Sequence, residues 1–242
     1  VVQDINRELD EKETDSWVKL IRVLTHEIMN TITPITSISE SILKYFKPSG
    51  VESTAKLSES HIESTVKGLE VIKEQGGDLM EFVQSYRSFL NLPKPDRKLV
   101  SAQQLLEKTK VLMNQENQGN KVDFEVRAEP ADLELFIDEK QISQILINLT
   151  KNALQSLKNN EGGKILITAG NSQTGKRYIK VADDGPGIPP ELIEEIFVPF
   201  FTTKDTGTGI GLSLSRQIMH LHGGTMKVHS IPFKETSFLL VF

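Results

Sequence analysis

The chain has 242 residues, no cysteine and a formal charge of −5, from 28 Lys+Arg against 33 Asp+Glu. Without cysteine there can be no disulfide, thiolate metal site or cysteine nucleophile, and mild acidity argues against a mainly electrostatic grip on nucleic acid or anionic lipid. Charged residues at 25 % and apolar residues at 38 % are a globular composition, and no apolar run reaches the roughly 18 residues of a membrane-spanning helix.

Apolar residues first recur at helical spacing: Trp17, Ile21, Leu24, Ile28, Ile35, Ile38 and Ile42 predict a helix from about Thr14 to Phe46. Lys47-Pro48-Ser49-Gly50 breaks it. A second stripe runs through Ile62, Val66, Leu69, Ile72, Leu79, Val83, Tyr86 and Leu90, and Pro93 and Pro95 end it in a linker. Two long helices on a short loop make an antiparallel hairpin. One hairpin covers only part of two such stripes, so a second copy is expected to close a four-helix bundle. Gly76 and Gly77 each cost about 1 kcal/mol inside a helix; tight packing is the expected reason for them. At about 100° per residue, His26 falls about 200° and Asn30 about 240° from Leu24, so both face away from the apolar stripe. Glu27 stands beside His26, and Pro34 is expected to kink the helix.

Eleven of the 16 glycines lie from Gly162 onward, so a helical first part gives way to a turn-rich second part. After the short apolar piece Leu99-Val100, the pattern predicts a helix from Ser101, its N-cap, to Gln118. Strands follow at 121–127 and 133–137, then a helix capped by Asp138 and running to about Asn159. Further strands are predicted at 164–169, 178–182, 225–230 and 236–241, with a helix at 212–222. The sum is an α+β chain whose second half is a sandwich of mixed sheet and helices.

Three stretches carry chemistry. Asn148 and Asn152, in INLTKNALQS, share a helical face at i and i+4. DDGPGIP, from Asp183 to Pro189, follows a strand; its glycines permit tight turns and close approach of a flat ligand, and Asp183 can accept from an exocyclic amine. GTGIGL, from Gly207 to Leu212, precedes a helix whose bare N-terminal amides suit an anion. It lacks the Lys-Ser/Thr of a P-loop, and the element order does not fit a dinucleotide fold. Between the last two lies IFVPFFTTKD, where Phe197, Phe200 and Phe201 anchor a loop and Thr202, Thr203 and Lys204 can reach a phosphate.

In order, HEIMNTITP, NLTKN, DDGPG, IFVPFFTTK and GTGIGL resemble the H, N, G1, F and G2 boxes of a bacterial sensor histidine kinase, over about Leu20 to the C-terminus. The resemblance implies an antiparallel helical hairpin for dimerisation and histidine phosphotransfer (residues 1–92). It also implies an α/β sandwich of the gyrase/histidine-kinase ATP-binding type (97–242). It implies ATP and Mg²⁺ as cofactors, a homodimer, and a response-regulator receiver domain as partner, with no nucleic acid and no direct membrane contact. A chain opening on Val1 rather than Met is expected to be a fragment, cytoplasmic, of a sensor that spans the membrane or not. His26 matches the phosphoacceptor, with Glu27 the acidic neighbour that takes or orients its proton. Asn30 matches the residue that supports phosphatase action on the regulator. Asn152 matches the Mg²⁺ ligand and Asn148 the first asparagine of its box, near the phosphates. Asp183 matches the reader of the adenine amine, and Gly185 and Gly187 line the base pocket. Thr202, Thr203 and Lys204 belong to a short lid, and Gly207, Gly209 and Gly211 turn backbone toward the phosphates.

Three other readings share parts of this pattern. An ATPase of the gyrase, mismatch-repair or chaperone type carries a glutamate where this chain has Asn148, and gives the hairpin no role. A degenerate scaffold would dimerise and bind nucleotide without chemistry. A mitochondrial-type protein kinase would not require HEIMNTITP on an exposed face.

Overall fold

The computed structural model describes residues 25, 28–46, 58–117, 122–158, 162–204 and 209–242. They fall into two units, divided between Leu90 and Asn91.

In the first unit, helix α1 covers residues 28–46 and α2 covers Glu59–Leu90. His26 and Glu27 lie outside the described residues, as does the predicted first half of α1. Helix α1 continues through Pro34, and hydroxyls downstream bond back along it: Thr36 to the Ile32 carbonyl at 3.0 Å, Ser39 to Ile35 at 2.7 Å. The helices pack closely at Gly68, where a Cβ would stand 2.9 Å from Cγ2 of Ile38 and 3.0 Å from Cδ1 of Ile42. The expectation that Gly76 and Gly77 are the tightly packed pair does not hold within the protomer. A Cβ at either would meet nothing within 4 Å. The stripe itself is split. Ile72 and Leu79 are partly buried, whereas Ile62, Val66, Leu69 and Val83 stay exposed.

The second unit is a two-layer sandwich. Its five-stranded mixed sheet has the order β2 (Asp123–Glu129), β4 (Lys164–Asn171), β5 (Arg177–Asp183), β7 (Glu235–Val241), β6 (Thr225–Ile231). β2 and β4 are parallel and the other neighbours antiparallel. β1 (Lys98–Ser101) and β3 (Glu134–Ile137) form a separate antiparallel pair. The apolar piece Leu99-Val100 is thus a strand, because β3 supplies it with a partner. Helices α3 (Ala102–Asn117), α4 (Glu139–Ser156) and α5 (Gly211–Leu221) pack side by side with α4 in the middle. α3 lies on β2, α4 on β4 and β5, and α5 on β6. Predicted and observed bounds of the second unit's elements differ by at most three residues: β2 starts at Asp123 rather than Lys121, β4 ends at Asn171 rather than Ala169, and α4 ends at Ser156 rather than Asn159.

Strand alternation builds the core. Ile165, Ile167 and Ala169 of β4 and Ile179 and Val181 of β5 point to the helices, as do Ile142, Ile145, Leu146 and Leu149 of α4 to the sheet. Asp138 caps α4 as predicted: its Oδ1 accepts from the amides of Lys140 (3.0 Å) and Gln141 (3.2 Å). Its Oδ2 accepts from the amide of Asp96 at 2.9 Å. Desolvation opposes its charge, but these amide donors outweigh it and hold the carboxyl below the usual carboxylate range. The linker is further fastened by Gln141 Nε2 donating to the Pro93 carbonyl and Arg97 Nη2 to the Leu221 carbonyl, both at 2.9 Å. Buried His222 bridges the same corner: Nε2 accepts from the Asp138 amide at 3.1 Å while Nδ1 lies 2.8 Å from the Ile218 carbonyl.

Candidate functional site

The same period of two that sends Ile179 and Val181 inward carries the next odd position, Asp183, under α4. Only 8 % of Asp183 is exposed. Burial is the main cause that pushes its carboxyl up to about 6, and neighbouring Asp184 adds to it. Two donors oppose this at one oxygen: the Gly185 amide at 3.1 Å and the Ser156 hydroxyl at 3.3 Å both reach Oδ1. A Cβ on Gly185 would stand 2.6 Å from that oxygen and 2.7 Å from Ser156 Oγ, so only glycine fits there. Gly187, at φ +77°, faces the other way, against the β6–β7 turn. A Cβ there would meet the Ile231 carbonyl at 2.7 Å. The Phe233 amide donating to Pro186 O (2.7 Å) and the Ile188 amide to Ser230 Oγ (2.8 Å) pin the loop to that turn.

Along α4, Asn148, Asn152 and Ser156 rise at steps of four, so they share one face of an amphipathic helix. Asn148 Nδ2 donates to Ser215 Oγ at 3.1 Å. A Cβ on Gly211 would lie only 2.1 Å from Asn148 Oδ1, so this amide is seated against the first turn of α5. Among the described residues no side chain caps the start of α5, so its first amides suit an acceptor. Asn152 Oδ1 and Gln155 Oε1 converge on one cation, the ammonium of Lys204, at 2.9 and 2.5 Å. Burial lowers the pKa of this lysine. Lys151 turns from the stripe to pair with Glu116 of α3 at 2.8 Å.

The phenylalanine-rich segment closes the site's far side. Phe200 is buried at φ +67°, and its amide donates to the Gly209 carbonyl at 3.1 Å. Gly209 has φ +65°, and a Cβ there would lie 2.4 Å from the Phe200 carbonyl carbon. The two ends of the lid are therefore joined at its base. Arg216 of α5 covers the Phe197 ring, its guanidinium carbon 5.0 Å from the ring centre. Thr202 and Thr203 are exposed, and Thr202 Oγ1 accepts from the Lys204 amide at 3.1 Å. Gly207 lies outside the described residues. Asn30 is exposed on α1, in the other unit.

The second unit thus brings together Asp183 with Gly185, Asn152 with Lys204, and Asn148 with Gly211. The sequence reading missed Ser156 and gave Gln155 no role. The signal was present for the first: Ser156 continues the Asn148–Asn152 step of four, and INLTKNALQS includes it.

Residues 137–242 match the model of the histidine kinase-, DNA gyrase B- and HSP90-like ATPase family. That is the class this sandwich of mixed sheet and three helices represents. The sensory histidine kinase/phosphatase NtrB of Vibrio alginolyticus is 31 % identical over 94 % of the chain, which spans 63 % of that relative's length. The catalytic domain of histidine kinase ThkA is 35 % identical and superposes with a TM-score of 0.55 over 61 % of this chain and 95 % of that domain. ThkA solved in complex with response regulator protein TrrA is 26 % identical, with a TM-score of 0.66 over 98 % of this chain and 65 % of that one. The chain belongs to the bacterial sensor histidine kinases.

Proposed function

We propose that this chain is a kinase core that uses ATP and Mg²⁺ to phosphorylate its own His26 and passes the phosphoryl group to an aspartate of a response-regulator receiver. It works as a homodimer in the cytoplasm, with residues 1–92 the dimerisation and phosphotransfer domain and 97–242 the catalytic domain. The observation that carries the reading is Asp183. One of its oxygens is held by Gly185 and Ser156; the other has no protein donor among the described residues and is left for an N–H of the ligand. Adenine offers that N–H in its exocyclic amine, where guanine has a carbonyl.

The remaining residues bind and orient. Open amides at the start of α5, with Gly209 and Gly211 allowing close approach, accept phosphate oxygens. Thr202, Thr203 and Lys204 cover them from the lid. Asn152 fits a metal site: its amide oxygen and that of Gln155 already share one cation, and hard oxygen donors suit Mg²⁺. Bound there with the phosphates, Mg²⁺ neutralises their charge. His26 supplies a neutral imidazole nitrogen as nucleophile and Glu27 takes the proton shed from the other nitrogen. Asn148 argues against the hydrolytic alternative. An amide tied to Ser215 cannot serve as the general base that activates water. Asn30, four residues after His26, orients water on the phosphorylated regulator. ThkA, solved with its response regulator, supports a partner of that kind.

The test is incubation with Mg²⁺ and γ-labelled ATP. The parent should take up acid-labile, base-stable label. His26→Gln should abolish it while leaving ATP binding intact, and undiminished label on the variant would refute the assignment. Asn30→Ala should retain labelling and slow receiver dephosphorylation by about tenfold, equivalent to about 1.4 kcal/mol.

A further inference from the structure

Asp183 needs more than burial to do its work. A carboxylate in a largely apolar recess tends to take up a proton, and a protonated acid can turn its O–H toward the ligand, where an amine offers only donors. Its surroundings supply little relief. Across the sheet it is paired with Ile165 of β4 and Thr236 of β7, both neutral. The following loop contributes Asp184, whose charge works against it. No cation is among these neighbours. What favours the ionised form is two hydrogen bonds to Oδ1, one from a backbone amide that every residue type would supply and one from a side chain, Ser156.

Ser156 is placed for this by the helix. It closes the last turn of α4, two steps of four beyond Asn148, and it is exposed at the rim. Its hydroxyl also lies 2.8 Å from the Ala153 carbonyl, so its single proton is shared between that carbonyl and the carboxylate. The missing side chain at Gly185 leaves the gap through which the hydroxyl reaches Asp183.

We infer that Ser156 is a positioning residue for base recognition: with the Gly185 amide it fixes one oxygen of Asp183 so that the other is presented to the exocyclic amine of adenine. The inference rests on the reading of Asp183 as the adenine reader. Removing the hydroxyl takes away a donor to the ionised form only, so the proton is held to higher pH. The direction agrees with a carboxyl that already sits at about 6.

The experiment compares binding of ADP and IDP, each with Mg²⁺, by calorimetry between pH 5.5 and 8 for the full chain. IDP has a carbonyl where ADP has the amine, and phosphate ionisation cancels in the ratio of the two affinities. For the parent the ratio should favour ADP at pH 8 and fall as pH drops through about 6. Ser156→Ala should move that fall upward by about half a pH unit or more, and Ser156→Thr, which keeps the hydroxyl, should move it back. A purely structural role at the helix end would lower thermal stability and leave the midpoint where it was, and an unmoved midpoint in Ser156→Ala overturns the inference. Asp183→Asn separates the two levels. If it keeps the parent ratio, the adenine reading itself fails. If it abolishes the ratio while Ser156→Ala leaves the midpoint alone, only the role of Ser156 fails.

Discussion

The two units solve the problem of apolar surface in opposite ways. In the sandwich, Ile142, Ile145 and Leu146 of α4 have no exposed surface, because a sheet lies beneath and a helix on either side. In the hairpin no side chain among the described residues is fully buried, and Leu69 and Met80 are 53 % and 68 % exposed. Both regions have helices with apolar stripes, yet only one has enough layers to cover them. A two-helix unit has two inner faces and no third element, so the outer part of each stripe is left uncovered within one chain. The difference says where each part can draw its stability: the sandwich from its own chain, the hairpin, in the dimer proposed above, from association.

The largest effect should follow from charging the uncovered stripe. In the proposed dimer, Leu69→Glu would put a charge on the stripe of both copies. The dimer constant should weaken by more than about a thousandfold, or about 4 kcal/mol. Sedimentation at micromolar concentration checks it, and a parent chain that sediments as a monomer would remove the contrast altogether. Next in size, Ile145→Ala should cost the sandwich about 3 kcal/mol, the middle of the range for a large-to-small core change, with the dimer constant unchanged. Calorimetric unfolding should show one transition lowered and the other in place.

The third prediction concerns a place where the sandwich gives up stability. Asp183 has a carboxyl at about 6 in the fold against an ordinary 3.8, so between those values the folded state holds a proton that the unfolded chain has released. Its contribution is therefore most favourable below about pH 4 and is lost as pH rises through about 6. At neutral pH the charge is a net cost. Asp183→Asn should raise the ligand-free unfolding free energy by about 1–3 kcal/mol at pH 7.5, with less gain at pH 4. Nucleotide affinity should fall in the same variant. A variant less stable than the parent at pH 7.5 would contradict the sign. The smallest effect separates the hairpin glycines. Gly76→Ala has open space and should gain up to about 1 kcal/mol of helix stability. Gly68→Ala must push against Ile38 and Ile42 and should lose stability. If Gly76→Ala instead weakens the dimer, that glycine is packed by the second copy.

Periodicity and punctuation made the elements legible. Steps of three and four, the Pro93–Pro95 stop and the Asp138 cap each act within one or two turns, so they can be read without the fold. What could not be read is what depends on contact across the sheet or between helices. β1 exists because β3 pairs with it, and Leu99-Val100 alone is too short to declare itself. The choice between Gly68 and Gly76-Gly77 as the close contact turns on which helix face meets α1, and a doubled glycine draws attention that a single one does not. At the site, the ordered boxes marked Asp183, Asn148 and Asn152, but the bond from Ser156 to Asp183 joins residues 27 apart in sequence. The pairing of Lys204 with Asn152 and Gln155 spans 52 and 49 residues.

Asp138 has two jobs that cannot be separated. Its Oδ1 closes the first turn of α4 and its Oδ2 moors the linker at Asp96, so the linker cannot pull free without disturbing the cap. From that cap a rod of 18 residues, about 27 Å long, runs to Ser156 beside Asp183, carrying Asn148 and Asn152 on the way. A pull on the linker would therefore bear on the first turn of the same stiff rod that carries the residues proposed to meet nucleotide.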